Sequence, residues 1–252
     1  MRKHDVVYIL RENCKPDELR YSLRSIEANM DHGKVWFYCG QPKGLIPDVA
    51  VPSKQTGSTK WERVRNSLRE VCRNDKITKK FWLFNDDFFV LAKMESTKPL
   101  HRGLLKDHIL NVESRHFGNP SGYTRQLRNC MDQLQQAGFT TLDYALHVPM
   151  LIDREKMLET LDMFPRCPMF RSLYGNYAKI GGEFTKDVKT TNPDKEIPED
   201  ALFFSTSDKA FTGKVLQQMR ERFPDPCRYE VEYGETVGKE VLQLEDVAVM
   251  SE

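Results

Sequence analysis

The stretch Phe81-Trp82-Leu83-Phe84-Asn85-Asp86-Asp87-Phe88-Phe89-Val90-Leu91 decides how the chain is read. Four consecutive apolar residues suit a strand buried on both faces, as in a parallel sheet covered by helices. At its exit stand two adjacent carboxylates, which repel each other and are costly to desolvate. Apolar runs on both sides place their turn near the core. Asp86 and Asp87 therefore read as ligands of a divalent cation, and hard oxygen donors suit Mg²⁺ or Mn²⁺. Asn85 and Asp86 would also contact a bound donor. The plain alternative is a pair of solvated turn residues.

Upstream, the pattern alternates. Asp5–Leu10 (DVVYIL) and Val35–Cys39 (VWFYC) read as buried strands, and Asp48–Val51 as a short third. Leu19, Leu23, Ile26 and Met30 recur at helical spacing, with Asp17 as the predicted cap. A second helix carries Trp61, Val64, Leu68 and Val71, capped by Ser58 or Thr59. Strand, helix, strand, helix, strand predicts an α/β fold with a mostly parallel sheet. In such sheets ligands sit beyond the carboxyl ends of the strands. Arg11 ends the first strand at that edge, Arg20 and Arg24 lie on the polar face of the first helix, and Lys60 lies in the first turn of the second, with Asn66 following. These cations and amides read as diphosphate contacts. Solvated helix faces are the alternative.

Downstream the signal thins. Lys98–Asn119 reads as a polar excursion, with His101, His108 and His116 as loop residues. Its basic residues, together with Arg125 and Arg128, would track a nucleic-acid backbone or form an ordinary surface. Ser121 caps a predicted helix through Ala137. Leu142–Ile152 reads as a strand interrupted by Pro149, and Asp153 caps a further helix. His147, in that apolar segment, reads as a third metal ligand or an acid/base group, or else as a core histidine. Arg171–Tyr177 mixes donors and aromatics suited to a sugar or base, or is a helix end broken at Gly175. Asp187–Glu199 reads as a loop, Ala201–Ser205 as a strand, and Ser207 as the cap of a last helix. Asp187 and Asp208 are candidate bases.

Composition bounds these readings. The chain has 252 residues, 38 Lys+Arg against 37 Asp+Glu, 14 Phe and 9 Tyr. Near-zero net charge argues against a bulk nucleic-acid binder, and the aromatic content against disorder. No uncharged apolar run approaches ~20 residues, so no membrane span is expected. The opening MRKHDVVYILREN is too short in apolar residues for a secretion signal. Six scattered cysteines without a CxxC pair are then expected as reduced thiols in a cytoplasmic protein. GxGxxG, P-loop and GxSxG patterns are missing, which argues against dinucleotide oxidoreductases, P-loop kinases and α/β-hydrolases. One domain is expected, with a nucleotide-sugar-binding half over 1–95, an acceptor-side half over 96–228 and an acidic tail over 229–252.

Glu18-Leu19-Arg20-Tyr21-Ser22-Leu23-Arg24-Ser25-Ile26-Glu27, followed by Asn85-Asp86-Asp87-Phe88-Phe89, resembles the Stealth-type sugar-phosphate transferases and related phage and bacterial glycosyltransferases of the GT-A (Rossmann-related) fold. His147-Val148-Pro149-Met150 is similar to their His-x-Pro segment, and Ser205–Lys209 to the phage-type group. The Trp-Val-Asp-Gly segment of full Stealth proteins does not follow the first strand here, where the sequence is Val7-Tyr8-Ile9-Leu10-Arg11. The resemblance implies a nucleotide-diphosphate sugar, UDP-sugar favoured, held by Mn²⁺ or Mg²⁺ at Asp86 and Asp87. It further implies Arg20 and Arg24 at the donor phosphates and His147 near the reacting centre. The implied acceptor is a surface glycan or a hydroxymethylated base in phage DNA. Sugar-1-phosphate transfer and non-catalytic nucleotide-sugar binding are the alternatives.

Overall fold

A computed structural model describes residues 3–95, 98–115, 121–231 and 240–241. The first half follows the expected alternation: β1 (Asp5–Ile9), α1 (Pro16–Asn29), β2 (Val35–Tyr38), β3 (Val49–Val51), α2 (Lys60–Arg73), β4 (Lys80–Phe84) and β5 (Phe88–Val90). The second half adds β6 (Leu100–His101), α3 (Leu105–Arg115), α4 (Gly122–Gln136), β7 (Met150–Asp153), α5 (Arg154–Met163), α6 (Phe170–Tyr177), β8 (Glu183–Phe184), β9 (Lys189–Thr190), β10 (Phe203–Thr206), α7 (Gly213–Arg222) and β11 (Glu240–Val241).

The central sheet has the order β11-β3-β2-β1-β4-β7. All its pairings are parallel except that between β4 and β7. This is a mixed, mostly parallel sheet of Rossmann-like order. The chain leaves β1 toward β2 and β3, then returns through α2 to β4 on the other side of β1. In α/β sheets such a reversal marks the ligand-binding crevice beyond the carboxyl ends of the two strands, here β1 and β4.

Alternation along the strands builds two cores. Val7, Phe81 and Leu83 pack with Leu68 and Val71 of α2 and Met157 and Leu161 of α5. Val6, Tyr8 and Phe84 pack on the other face with Leu19, Leu23 and Ile26 of α1. A small sheet, β5-β10-β9, lies under α7 through Phe89, Phe204, Phe211 and Val215. A third layer joins α3, α4 and α6 through Leu105, Leu127, Leu134 and Leu173.

Several expectations shift. Lys15 and Pro16, not Asp17, open α1; Asp17 sits within its first turn. Thr59 caps α2 in a reciprocal box with Glu62. The supposed excursion contains β6 and α3, and His108 is a buried helix residue. His116 lies outside the described residues. Pro149 delays the strand until Met150. Ser207 caps no helix, because α7 starts only at Gly213. Gly175 does not break α6: a Cβ there would meet the Tyr144 ring at 2.3 Å, so it permits close packing. The expected acidic tail begins with Tyr229, fully buried in the α1-side core. All six cysteines are free thiols. Among the described residues no helix is long and apolar enough to cross a membrane.

Candidate functional site

The crevice between β1 and β4 gathers carboxylates. β4 ends at Phe84 and releases exposed Asn85, half-buried Asp86 and buried Asp87, with Phe88 N–H closing the turn onto the Asn85 carbonyl at 3.3 Å. β1 ends one strand away, and Cys14 Sγ donates to Asp86 Oδ2 at 3.3 Å. Asp87 Oδ2 accepts from Lys189 Nζ at 2.8 Å and from Ser205 Oγ at 3.3 Å, while Oδ1 is buried with no partner. Glu18, in the first turn of α1, accepts from Thr206 Oγ1 at 2.7 Å. Burial first, and then Asp87, Asp86 and Asp208, push its carboxyl up to about 7. Burial and Asp87 likewise raise Asp86.

A second group stands at the same edge. β7 runs antiparallel to β4 with Met150 opposite Leu83, so His147, three residues earlier, lies at the edge where β4 releases Asp86. His147 Nδ1–H donates to Asp187 Oδ2 at 2.9 Å, and the His147 backbone N–H donates to Asp187 Oδ1 at 3.1 Å. Burial would raise the Asp187 carboxyl, but His147 and Arg102 outweigh it and hold it at about 2. An ionised Asp187 only accepts, so the proton of neutral His147 sits on Nδ1 and Nε2 is the basic nitrogen. The His147 ring meets Phe88 edge-on at 6.2 Å.

One segment ties the two groups together. Asp187 orients His147 and Lys189, two residues on, holds Asp87. Asp187 lies just before the two-residue strand β9 that carries Lys189. Behind Asp187, Arg102 Nη1 lies 3.5 Å from its Oδ2, and Arg102 Nε lies 4.0 Å from Asp143 Oδ2. Asp143 in turn holds His108 Nδ1 at 2.5 Å.

Of the expected site residues, Asn85, Asp86 and Asp87 lie at the crevice, and His147 and Asp187 form one pair. Exposed Arg11 also stands there, 3.8 Å from Asp208. Asp208 is itself 78% exposed, without the burial or orienting partner that serves Asp187. Arg20 and Arg24 require correction. Both guanidiniums bind Glu230, with Arg24 Nε at 2.6 Å and Nη2 at 2.8 Å, and Arg24 Nη1 also donates to the Phe223 carbonyl at 2.8 Å. They fasten α1 to the segment after α7 rather than facing a phosphate. Lys60 stacks over Trp61 at 4.6 Å. Asn66 donates to the Thr56 carbonyl at 2.9 Å and so pins a loop whose Gln55 reaches the Leu10 carbonyl at 3.2 Å. Asn66 shapes the edge without lining it.

A hard dication fits this donor set. Asp87 Oδ1 lacks a partner, Asp86 is adjacent, and both supply oxygen. Among the described residues no three His, Cys, Asp or Glu side chains converge to hold a metal ion. His147, expected as a third ligand, is thus not assembled with Asp86 and Asp87. Two carboxylates completed by phosphate oxygens and water are a common way of holding Mg²⁺. Glu18 and Lys189 were not read as site residues from the sequence, and Arg102 was read only as part of the basic excursion. Only the i, i+2 spacing of Asp187 and Lys189 signalled one of them. No family model matches the chain, and no curated protein matches it.

Proposed function

We propose that the protein is a metal-assisted glycosyltransferase of GT-A type. It would move a sugar from a nucleoside-diphosphate donor, a UDP-sugar by preference, to an acceptor hydroxyl. The observation that carries this reading is the buried, unpartnered Oδ1 of Asp87 at the β1–β4 crevice, tied through Lys189 and Asp187 to an oriented His147.

Asp86 and Asp87 would hold Mg²⁺ or Mn²⁺, which when bound neutralises charge on the departing diphosphate. Lys189 aims Asp87, and Arg11 adds positive charge at the open side of the crevice. His147 Nε2 accepts the acceptor hydroxyl's proton as the new bond to the sugar carbon forms and the bond to the diphosphate oxygen breaks. Asp187 stabilises the resulting imidazolium, which supports it over Asp208 as the working carboxylate. Arg102 and Arg128 of the basic excursion are paired with Asp187 and Glu113, which favours a glycan acceptor over DNA.

Donor turnover with Mn²⁺ tests the reading. Nucleoside diphosphate should be released, and Asp87→Asn should lower its release at least 100-fold. Nucleoside monophosphate would instead indicate sugar-1-phosphate transfer. Saturable binding without turnover of any donor would indicate a binding module.

A further inference from the structure

Beside His147 lies a cleft that the reaction above does not use. Its inner recess, about 30 Å³, is lined by Trp82, Tyr144, Val148, Pro149, Arg171 and Ile180, among others. It shares Trp82, Lys98, Leu100 and Pro149 with an outer chamber of about 240 Å³ that opens past Met94, Leu202 and Phe203. The lining is mostly apolar and aromatic. The one carboxylate among the described lining residues, Glu183, is paired with Lys98 at 2.5 Å.

Arg171 is the odd member. It lies in the first turn of α6, where a helix presents its positive end. Its guanidinium sits over the Phe88 ring at 5.5 Å and donates through Nη2 to the neutral Val148 carbonyl. Its Nε is buried without a partner. Burial lowers its basicity to about 10, and Asp187 and Asp87 act on it at longer range. A guanidinium drawn among apolar groups costs stability unless an anion meets it, and a buried donor left unmade calls for an explanation. The recess has room for roughly two waters, or for the oxygens of one acid group. The outer chamber then takes a ring, flanked by Trp82 and Phe203.

We infer that this cleft is a binding subsite for an anionic group, a carboxylate or a phosphate, carried on a sugar ring. Its identification with the acceptor rests on the glycosyltransferase reading, because Val148 and Pro149 continue directly from His147. The anion site itself does not depend on that reading.

The test follows the ¹⁵N–¹H signal of the Arg171 Nε group during titration of the full chain, without nucleotide or metal. Arg171→Lys, which has no Nε, assigns the signal. The probes are phenyl β-glucuronide, phenyl phosphate and neutral phenyl β-glucoside. An anionic probe should bind at least 10-fold more tightly than the glucoside and shift the Arg171 signal saturably. Binding of the glucuronide identifies a sugar acid, and binding of the phosphate alone identifies a phosphorylated ring. Equal affinity for anionic and neutral probes, or an unmoved Arg171 signal, would overturn the inference. The affinity comparison uses the unaltered protein, so it stands even where Arg171→Lys misfolds. Failure here leaves donor turnover untouched, and failure of turnover leaves this titration readable.

Discussion

At the residue scale, the site is a set of charges held out of their ordinary balance. Glu18 is raised to about 7 by burial and by the neighbouring aspartates. The folded chain therefore binds its proton more tightly than the unfolded chain does. That contribution to stability is complete below about 4.5 and is lost as pH rises through about 7. Glu18→Gln should thus melt with the parent at pH 4. At pH 8 without divalent cations it should be more stable by about 1–2 kcal/mol, discounted for partial exposure. Thermal denaturation at the two pH values checks this, and equal shifts at both would refute it. Asp187 has the opposite sign. Its carboxyl is held at about 2, so its contribution is present above the ordinary value of 3.8 and disappears as pH falls toward 2. Asp187→Asn should cost about 2 kcal/mol at pH 7. It also leaves His147 without its anionic orienting partner. Turnover should fall roughly 10²–10⁴-fold, the usual worth of a positioned general base. A variant with parental turnover would remove His147 and Asp187 from the chemistry.

At the scale of elements, periodic segments were legible and contact-defined ones were not. The stripe Leu19, Leu23, Ile26 on α1 is fully buried, as its spacing required. The Thr59–Glu62 box and the Ser121 cap are local chemistry and were readable locally. α3 was missed because His108, a polar letter in the sequence, is buried only through Asp143, 35 positions away. The two-residue strands β8 and β9 carry no period at all. Arg20 and Arg24 show the same limit. Their i, i+4 spacing fixed one shared face of α1, but what meets that face is Glu230, more than 200 positions away. The side chain of Glu230 is only 6% exposed, and it is held near 2 chiefly by Arg24 against the cost of burial. Breaking such a pair leaves two half-buried cations unmatched, so Glu230→Ala should destabilise by about 3 kcal/mol. That corresponds to roughly 6–12 °C in melting temperature for a chain of this size. Donor binding should persist below the lowered transition. A parental melting temperature with abolished donor binding would restore the two arginines to the phosphates.

At the scale of the whole molecule, the strand order explains why residues from distant segments share one edge. β1 and β4 are separated by some seventy positions yet are neighbours, and the reversal between them brings Cys14, Glu18 and Asp86 together. The antiparallel β7 and the strand pair β9-β10 then deliver His147, Asp187, Lys189 and Ser205 to the same place. Apolar runs and their alternation made the parallel half readable. The antiparallel edge was not, since its register depends on Pro149 and on pairing that no local pattern encodes. An edge assembled from so many segments, with an excess of carboxylate at its centre, should bind cation and diphosphate cooperatively. Each ligand removes a charge that opposes the other, and the coupling is reciprocal. Mn²⁺ alone and UDP alone should each raise the melting temperature modestly. Together they should exceed the sum of the two, reaching about 2.7 kcal/mol, or roughly 5–11 °C, at a hundredfold excess over the dissociation constant. Asp87→Asn keeps the shape of the side chain and removes its charge, so it should abolish the excess while leaving the small UDP effect. Strictly additive shifts in the parent, or an excess that survives Asp87→Asn, would mean that the carboxylates of this crevice serve the fold alone.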